Sequence, residues 1–101
     1  MALGLALGEI EIDILSREVR TGNSVIHLSG IEQSLLYLLA SRGGHVVSRD
    51  EILHKIWGLE AQPSNRTVDN FIVKLRRKVE KAADKPAHIL TVYGFGYKLV
   101  M

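Results

Sequence analysis

From Glu9 to Ile14 the chain alternates acid and isoleucine, Glu9-Ile10-Glu11-Ile12-Asp13-Ile14. A period of two places Ile10, Ile12 and Ile14 on one face of a half-buried strand. Glu18-Val19-Arg20-Thr21 and Ser24-Val25-Ile26-His27-Leu28 flank Gly22-Asn23. Glycine and asparagine tolerate the positive φ of tight turns, so these two segments predict a hairpin. The apolar, glycine-broken start from Met1 to Gly8 lacks a basic leader and reads as an edge strand or linker rather than an export signal. A small antiparallel sheet over about residues 3–28 is therefore expected to open the domain.

The period changes at Ser29. Ser29-Gly30-Ile31-Glu32 is an S-x-x-E capping box, and Leu35, Leu36, Leu38 and Leu39 supply the buried stripe of a helix over about 30–42 that Gly43-Gly44 ends. After the apolar step Val46-Val47, Ser48-Arg49-Asp50-Glu51 repeats the box and opens a second helix over about 49–57, with Ile52, Leu53, Ile56 and Trp57 at helical spacing. Residues 58–63 form a loop, and Ser64 or Asn65 caps a third helix over about 65–81, with Asp69 in its first turn where the helix dipole favours an anion. Val68, Ile72, Leu75 and Val79 recur there at i, i+4, i+7 and i+11, a single narrow apolar face. Beyond Pro86, residues 89–100 predict a closing β-hairpin.

Composition adds limits. With 101 residues and 47% apolar content, the chain fits one compact domain, 1–101. There is no cysteine, which excludes disulfides, thiolate nucleophiles and Cys-based zinc sites and makes a reducing cytoplasm the expected compartment. The longest fully apolar run, Leu35 to Ala40, is six residues, far below the ~20 that span a bilayer. No membrane partner is expected. Charge is divided unevenly: residues 1–63 carry 5 Lys+Arg and 8 Asp+Glu, whereas residues 64–101 carry 8 and 3. The second half thus holds the positive excess and invites an anionic partner.

That excess lies mostly on the third helix, where Asn70, Lys74, Arg77, Lys78 and Lys81 sit roughly opposite the apolar stripe, Arg66 and Thr67 stand at its start and Arg76 lies on a flank. On charge alone a solvated surface face is the preferred explanation, but a short helix and loop before it and a hairpin after it match a helix-turn-helix whose second helix enters a major groove. The segment Tyr93-Gly94-Phe95-Gly96-Tyr97 holds a G-x-G between two strands, which suits a hairpin tip better than a phosphate loop. Tyr97 is expected to pack on the domain, whereas Lys98 is either a phosphate contact or a solubilising charge. Trp57 is read as a core anchor that is also able to offer its N–H to a phosphate. His27, His45, His54 and His88 are scattered, and Asp50 with His54 makes at best half a metal site. No nucleophile or hydrolase motif is present, so neither enzymatic activity nor a cofactor is expected.

Taken together, these residues resemble the effector domain of OmpR/PhoB-type response regulators, from about Leu7 to Val100. The carriers are Leu28-Ser29 with Glu32 and Leu35-Leu36, Val46 to Leu53 with Ile56-Trp57, Asn65 to Asp69 continuing through Leu75 to Glu80, and Thr91 to Tyr97. The resemblance implies an α+β winged helix-turn-helix: an N-terminal four-stranded antiparallel sheet, a three-helix core and a C-terminal β-hairpin wing. It implies sequence-specific binding of double-stranded DNA by a bacterial two-component regulator, with the third helix in the major groove and the wing at the adjacent minor groove. On this likeness Arg66, Thr67 and Arg76 are phosphate contacts, Lys74 reads a base, and Arg49 and Trp57 face the backbone. With Asn70, Phe71, Val73, Arg77, Lys78, Tyr93 and Lys98 they make up the expected DNA-contacting set.

The loop Gly58, Leu59, Glu60, Ala61, Gln62 and Pro63 resembles the segment that meets RNA polymerase or a second regulator. Relatives of this type bind direct-repeat operators as head-to-tail dimers and carry a receiver domain ahead of the effector domain, which is absent from these 101 residues. The sequence departs from the family pattern at four places. Val73 stands where some members are basic, Phe71 where a polar phosphate contact is frequent, and Tyr93 where many carry a minor-groove arginine. Gln33 replaces an aromatic residue, which predicts looser packing of the first helix. A winged-helix module that binds only proteins, through the 58–63 loop and the aromatic hairpin, is the alternative.

Overall fold

The computed structural model describes residues 4–58 and 64–101. Four short strands come first: β1 (Gly4–Leu7), β2 (Ile10–Asp13), β3 (Glu18–Thr21) and β4 (Ser24–His27). They pair antiparallel in sequence order, with Ile12 opposite Leu5 on one side and Val19 on the other. The acid–isoleucine alternation has the expected result: Ile10, Ile12 and Ile14 are all buried while Glu9 and Glu11 face water. The Thr21–Ser24 pair closes a two-residue turn in which Gly22 takes φ +57°.

Helix α1 spans Gly30–Ser41 and carries the full capping box, Glu32 N–H donating to Ser29 Oγ at 3.2 Å and Ser29 N–H to Glu32 Oε1 at 2.7 Å. Helix α2 (Arg49–Ile52) runs on into a π-helical turn, Leu53–Trp57. Helix α3 spans Asn65–Val79. Leu35, Leu36 and Leu39 of α1 meet Ile52 of α2 and Val68, Ile72, Leu75 and Val79 of α3 in one buried cluster that also takes the inner face of the sheet. Strand β5 (Val47–Ser48) and the hairpin β6 (Ile89–Val92) and β7 (Gly96–Leu99) form a second sheet in the order β5-β7-β6.

Four sequence expectations change. The second capping box is only half made: Ser48 Oγ accepts from Glu51 N–H, but the Glu51 carboxylate turns to Arg42 instead of reaching back. Helix α3 ends at Val79 rather than near Lys81, because Glu80 turns extended (φ −101°, ψ 142°) and its buried carboxylate accepts N–H bonds from Ala87, His88 and Ile89 at 2.7–3.1 Å. Lys81 therefore lies beyond the helix. Ser64 is the N-cap of α3 as expected, though without a side-chain bond, whereas Asp69 lies past the first turn, where side chains from two other elements claim it. Gln33 does not loosen α1: its Nε2 donates to Ile14 O at 2.7 Å and ties the helix to the chain leaving β2.

Gly96 has an exacting role that differs from making a turn. A Cβ placed on it would collide with Val47 O, so only glycine lets β7 approach β5. The turn itself belongs to Gly94, at φ +83°.

Candidate nucleic-acid interface

Residues 66, 70, 73 and 77 repeat the i, i+4, i+7, i+11 spacing of the buried stripe of α3, set two residues earlier. At 100° per residue that displacement carries them to the far side of the helix. Accordingly Arg66, Asn70, Val73 and Arg77 are all exposed, with Lys74 beside them. The ridge presents three cations, one amide and one apolar side chain, and none of these is engaged in a hydrogen bond or ion pair among the described residues.

The two flanks of α3 hold the helix in place. On one flank Arg76 Nε and Nη2 both donate to Ile89 O, at 3.0 and 2.8 Å, and Nη2 also donates to Thr91 Oγ1 at 2.9 Å, a fork that fixes β6. Asp69 Oδ1 accepts from Arg49 Nε at 2.9 Å and from the Tyr97 hydroxyl at 2.5 Å. The guanidinium groups of Arg49 and Arg76 stand 5.9 and 5.6 Å from the centre of the Tyr97 ring, within cation–π range. Burial first, and then the bond to Asp69, push the Tyr97 hydroxyl above its ordinary pKa, whereas that hydroxyl and Asp69 hold Arg49 in its charged form.

On the other flank Lys78 Nζ donates to Glu32 Oε1 at 2.7 Å and to His27 O at 2.9 Å. Burial alone would raise the Glu32 carboxyl, but Lys78 and the Ser29 cap prevail and hold it below the usual range. Phe71 lies further along this flank, tilted against Trp57 with ring centres 5.5 Å apart, and the Lys74 ammonium sits 4.7 Å from the centre of the Phe71 ring.

The expected contact residues thus divide by environment. Arg66, Asn70, Val73, Lys74 and Arg77 form the open ridge. Arg49 and Thr67 are half-buried at its margins, Lys98 is half-buried on β7, next in sequence to Tyr97, and Trp57 and Phe71 form an aromatic pair beneath Lys74. The charges of Arg76 and Lys78 are engaged inside the protein. Tyr93 and Phe95 project from the hairpin tip, 88% and 71% exposed, while Tyr97 is buried as expected. Gly58 closes the π-helical turn at φ +84°, and the rest of the expected partner loop, residues 59–63, lies outside the described residues.

The central role of Asp69 escaped sequence reasoning, which placed it in the first turn. Its seven-residue separation from Arg76, which puts both on the flank facing the hairpin, is the signal that reveals it. Among the described residues there is no cluster of His, Cys, Asp or Glu able to hold a metal ion, and no helix is long and apolar enough to cross a membrane.

Comparison with known proteins agrees with this geometry. Residues 22–99 match the family described as "Transcriptional regulatory protein, C terminal". The DNA-binding response regulator MtrA of Mycolicibacterium smegmatis is 37% identical over 94 residues, covering 93% of this chain and 41% of that protein. The chain thus spans about two fifths of the length of such relatives. The response regulator DrrB of Thermotoga maritima, an OmpR/PhoB homologue, superposes with a TM-score of 0.83 at 32% identity over 97% of this chain and 44% of DrrB. The Klebsiella pneumoniae RstA DNA-binding domain, solved in complex with the RstA box, gives 0.76 at 31% identity over 96% of each chain. The four-stranded sheet, three helices and closing hairpin are those of a winged-helix domain, and the chain belongs to the family of C-terminal effector domains of OmpR/PhoB-type transcriptional regulators.

Proposed function

We propose that this chain binds double-stranded DNA sequence-specifically as the effector domain of a bacterial two-component transcriptional regulator, with α3 in the major groove and the hairpin at the adjacent minor groove. The observation that carries this reading is the open ridge of α3. Among the described residues Arg66, Lys74 and Arg77 have no ion-pair partner, on a helix whose two flanks are clamped by Arg76, Asp69 and Lys78. A rigid helix with free donors on its outer face suits a groove about 12 Å wide lined by acceptors. Arg66 and Arg77 neutralise phosphates, Asn70 and Lys74 reach base edges, and Arg49, Thr67, Trp57 and Lys98 border the backbone track. Arg76 and Lys78 support the helix from within rather than touching DNA. Tyr93, at the exposed tip, meets the minor-groove wall.

Following the pattern of its relatives, the chain is further proposed to occupy a direct-repeat operator head-to-tail with a second copy in the cytoplasm, and to offer the 58–63 segment to RNA polymerase. Selection of bound duplexes from a random pool, followed by titration of the selected and a scrambled duplex across a salt series, tests the central reading. A selected motif is expected, with log K falling by about 0.9 per log unit of salt for each neutralised phosphate. Equal binding of both duplexes would overturn specificity, and binding of neither would favour a module that recognises proteins alone.

A further inference from the structure

Two neighbours on the ridge of α3 differ in chemistry. Val73 is 44% exposed although it is apolar, and it is flanked by Asn70, Lys74 and Arg77. Its methyl groups lie outside the buried stripe and have no polar partner to offer. Lys74 is a flexible side chain whose ammonium is nevertheless placed, 4.7 Å from the centre of the Phe71 ring. That ring is itself held, partly buried against the core and tilted on Trp57. A cation resting on an aromatic face still has N–H donors directed away from it. The loss of side-chain freedom that usually weakens lysine contacts is therefore partly met before any ligand arrives.

In the major groove the one apolar feature on a base edge is the thymine C5-methyl, and guanine presents two acceptors, O6 and N7, to a donor-only side chain. Val73 and Lys74 are consecutive on α3, about 1.5 Å apart along the helix axis, so both face the same short stretch of groove, where base pairs rise about 3.4 Å each. We propose that α3 reads a thymine methyl with Val73 and, within two base pairs of it, the acceptor edge of a guanine with Lys74, and that Phe71 is the positioning residue that aims Lys74. The inference rests on α3 being the groove-entering helix. It deepens that reading by stating what the half-site contains, and it gives Phe71 a role other than phosphate contact.

The test uses the duplex that the wild-type chain selects from a random pool, carrying uracil in place of each thymine in turn, which removes only the methyl, or 7-deazaguanine in place of each guanine, which removes only N7. One thymine is expected whose demethylation weakens wild-type binding by about three- to fivefold and leaves Val73→Ala unaffected. A guanine within two base pairs of it is expected to lose about fivefold on removal of N7, with no loss in Lys74→Ala. Phe71→Leu is expected to reduce that guanine discrimination by about two- to fivefold while keeping the salt slope, and Phe71→Trp to retain it, with thermal melts confirming that both variants are folded. Indifference to every demethylation, equal loss by Val73→Ala on thymine and uracil duplexes, or undiminished guanine discrimination in Phe71→Leu overturns the proposal and leaves DNA binding standing. Failure of the wild-type chain to select any duplex overturns the underlying reading instead, and this proposal with it.

Discussion

The hydroxyl of Tyr97 on β7 donates to Asp69 Oδ1 on α3 at 2.5 Å, across 28 residues of sequence. The same oxygen accepts from Arg49 Nε at the start of α2. One carboxylate oxygen thus joins the helix before the loop, the helix that carries the ridge and the hairpin behind it. Three separate elements are thereby held in one frame, which on the proposed function reduces the ordering cost of binding DNA.

Replacing Tyr97 by Phe removes the hydroxyl and keeps the ring. A hydrogen bond to a charged group contributes more than a neutral one, so a loss of about 1–2 kcal/mol is expected in urea unfolding at neutral pH, with faster amide exchange in Gly96–Leu99. Because the Tyr97 hydroxyl is raised above its ordinary value of 10.0, the contribution is complete below that pH and is lost as pH rises through the folded-state pKa. The alkaline fall in wild-type stability should be shallower in Tyr97→Phe. Superimposable alkaline limbs would contradict the bond.

The fold was readable from the sequence wherever a single periodicity decided the matter. The alternation at Ile10, Ile12 and Ile14 and the stripe at Val68, Ile72, Leu75 and Val79 each define one buried face, and both faces are buried. The ridge followed from the second pattern by subtraction. Which cations on α3 stay free was not readable, because that depends on elements far away in sequence: Lys78 is engaged by Glu32, 46 residues earlier, and Arg76 by Ile89 and Thr91. The end of α3 was hidden for the same reason, since Glu80 reads as one more helical acid until its carboxylate is seen bonding the N–H groups of 87–89. Nor did any residue type announce the π-helical turn that carries Trp57.

Arg76 and Arg77 are neighbours of one residue type with opposite environments, and they should separate cleanly. Arg76→Ala removes three hydrogen bonds to β6. It is expected to cost about 1.5–3 kcal/mol of stability. Lysine in its place cannot reproduce the planar fork and should recover little. Arg77→Ala should leave stability within about 0.5 kcal/mol and lower the salt slope of DNA binding by about 1. Thermal melts and salt titrations of both variants make the comparison, and a reversed pattern would exchange the roles given to the two arginines.

Two glycines of the hairpin differ in the same way. Alanine at Gly94 meets no atom within 4 Å but must adopt φ +83°, a strain of about 1 kcal/mol in the left-handed region. Alanine at Gly96 would meet the backbone of β5, which cannot move aside as a flexible side chain would. A loss of about 3 kcal/mol or more is expected, with β5 displaced from β7. Equal effects in denaturant titrations would mean that the β5–β7 approach is not held as described.

Glu32 provides the pH test of the other flank of α3. Its side chain is buried, accepts from Ser29 N–H and Lys78 Nζ, and is held below its ordinary value of 4.5. The unfolded chain therefore binds the proton more readily, so the contribution is fully present above 4.5 and disappears as pH falls through the lower folded-state value. Glu32→Gln should cost about 1–3 kcal/mol at pH 7, and its deficit against wild type should close as the pH is taken below 4.5 in a series of urea titrations. Lys78→Met removes the cation while leaving the carboxylate buried, so burial then dominates and the acid transition should move to higher pH. A deficit for Glu32→Gln that stays constant from pH 7 to pH 3 would show that ionisation of Glu32 contributes nothing, leaving its role to shape and hydrogen bonding alone.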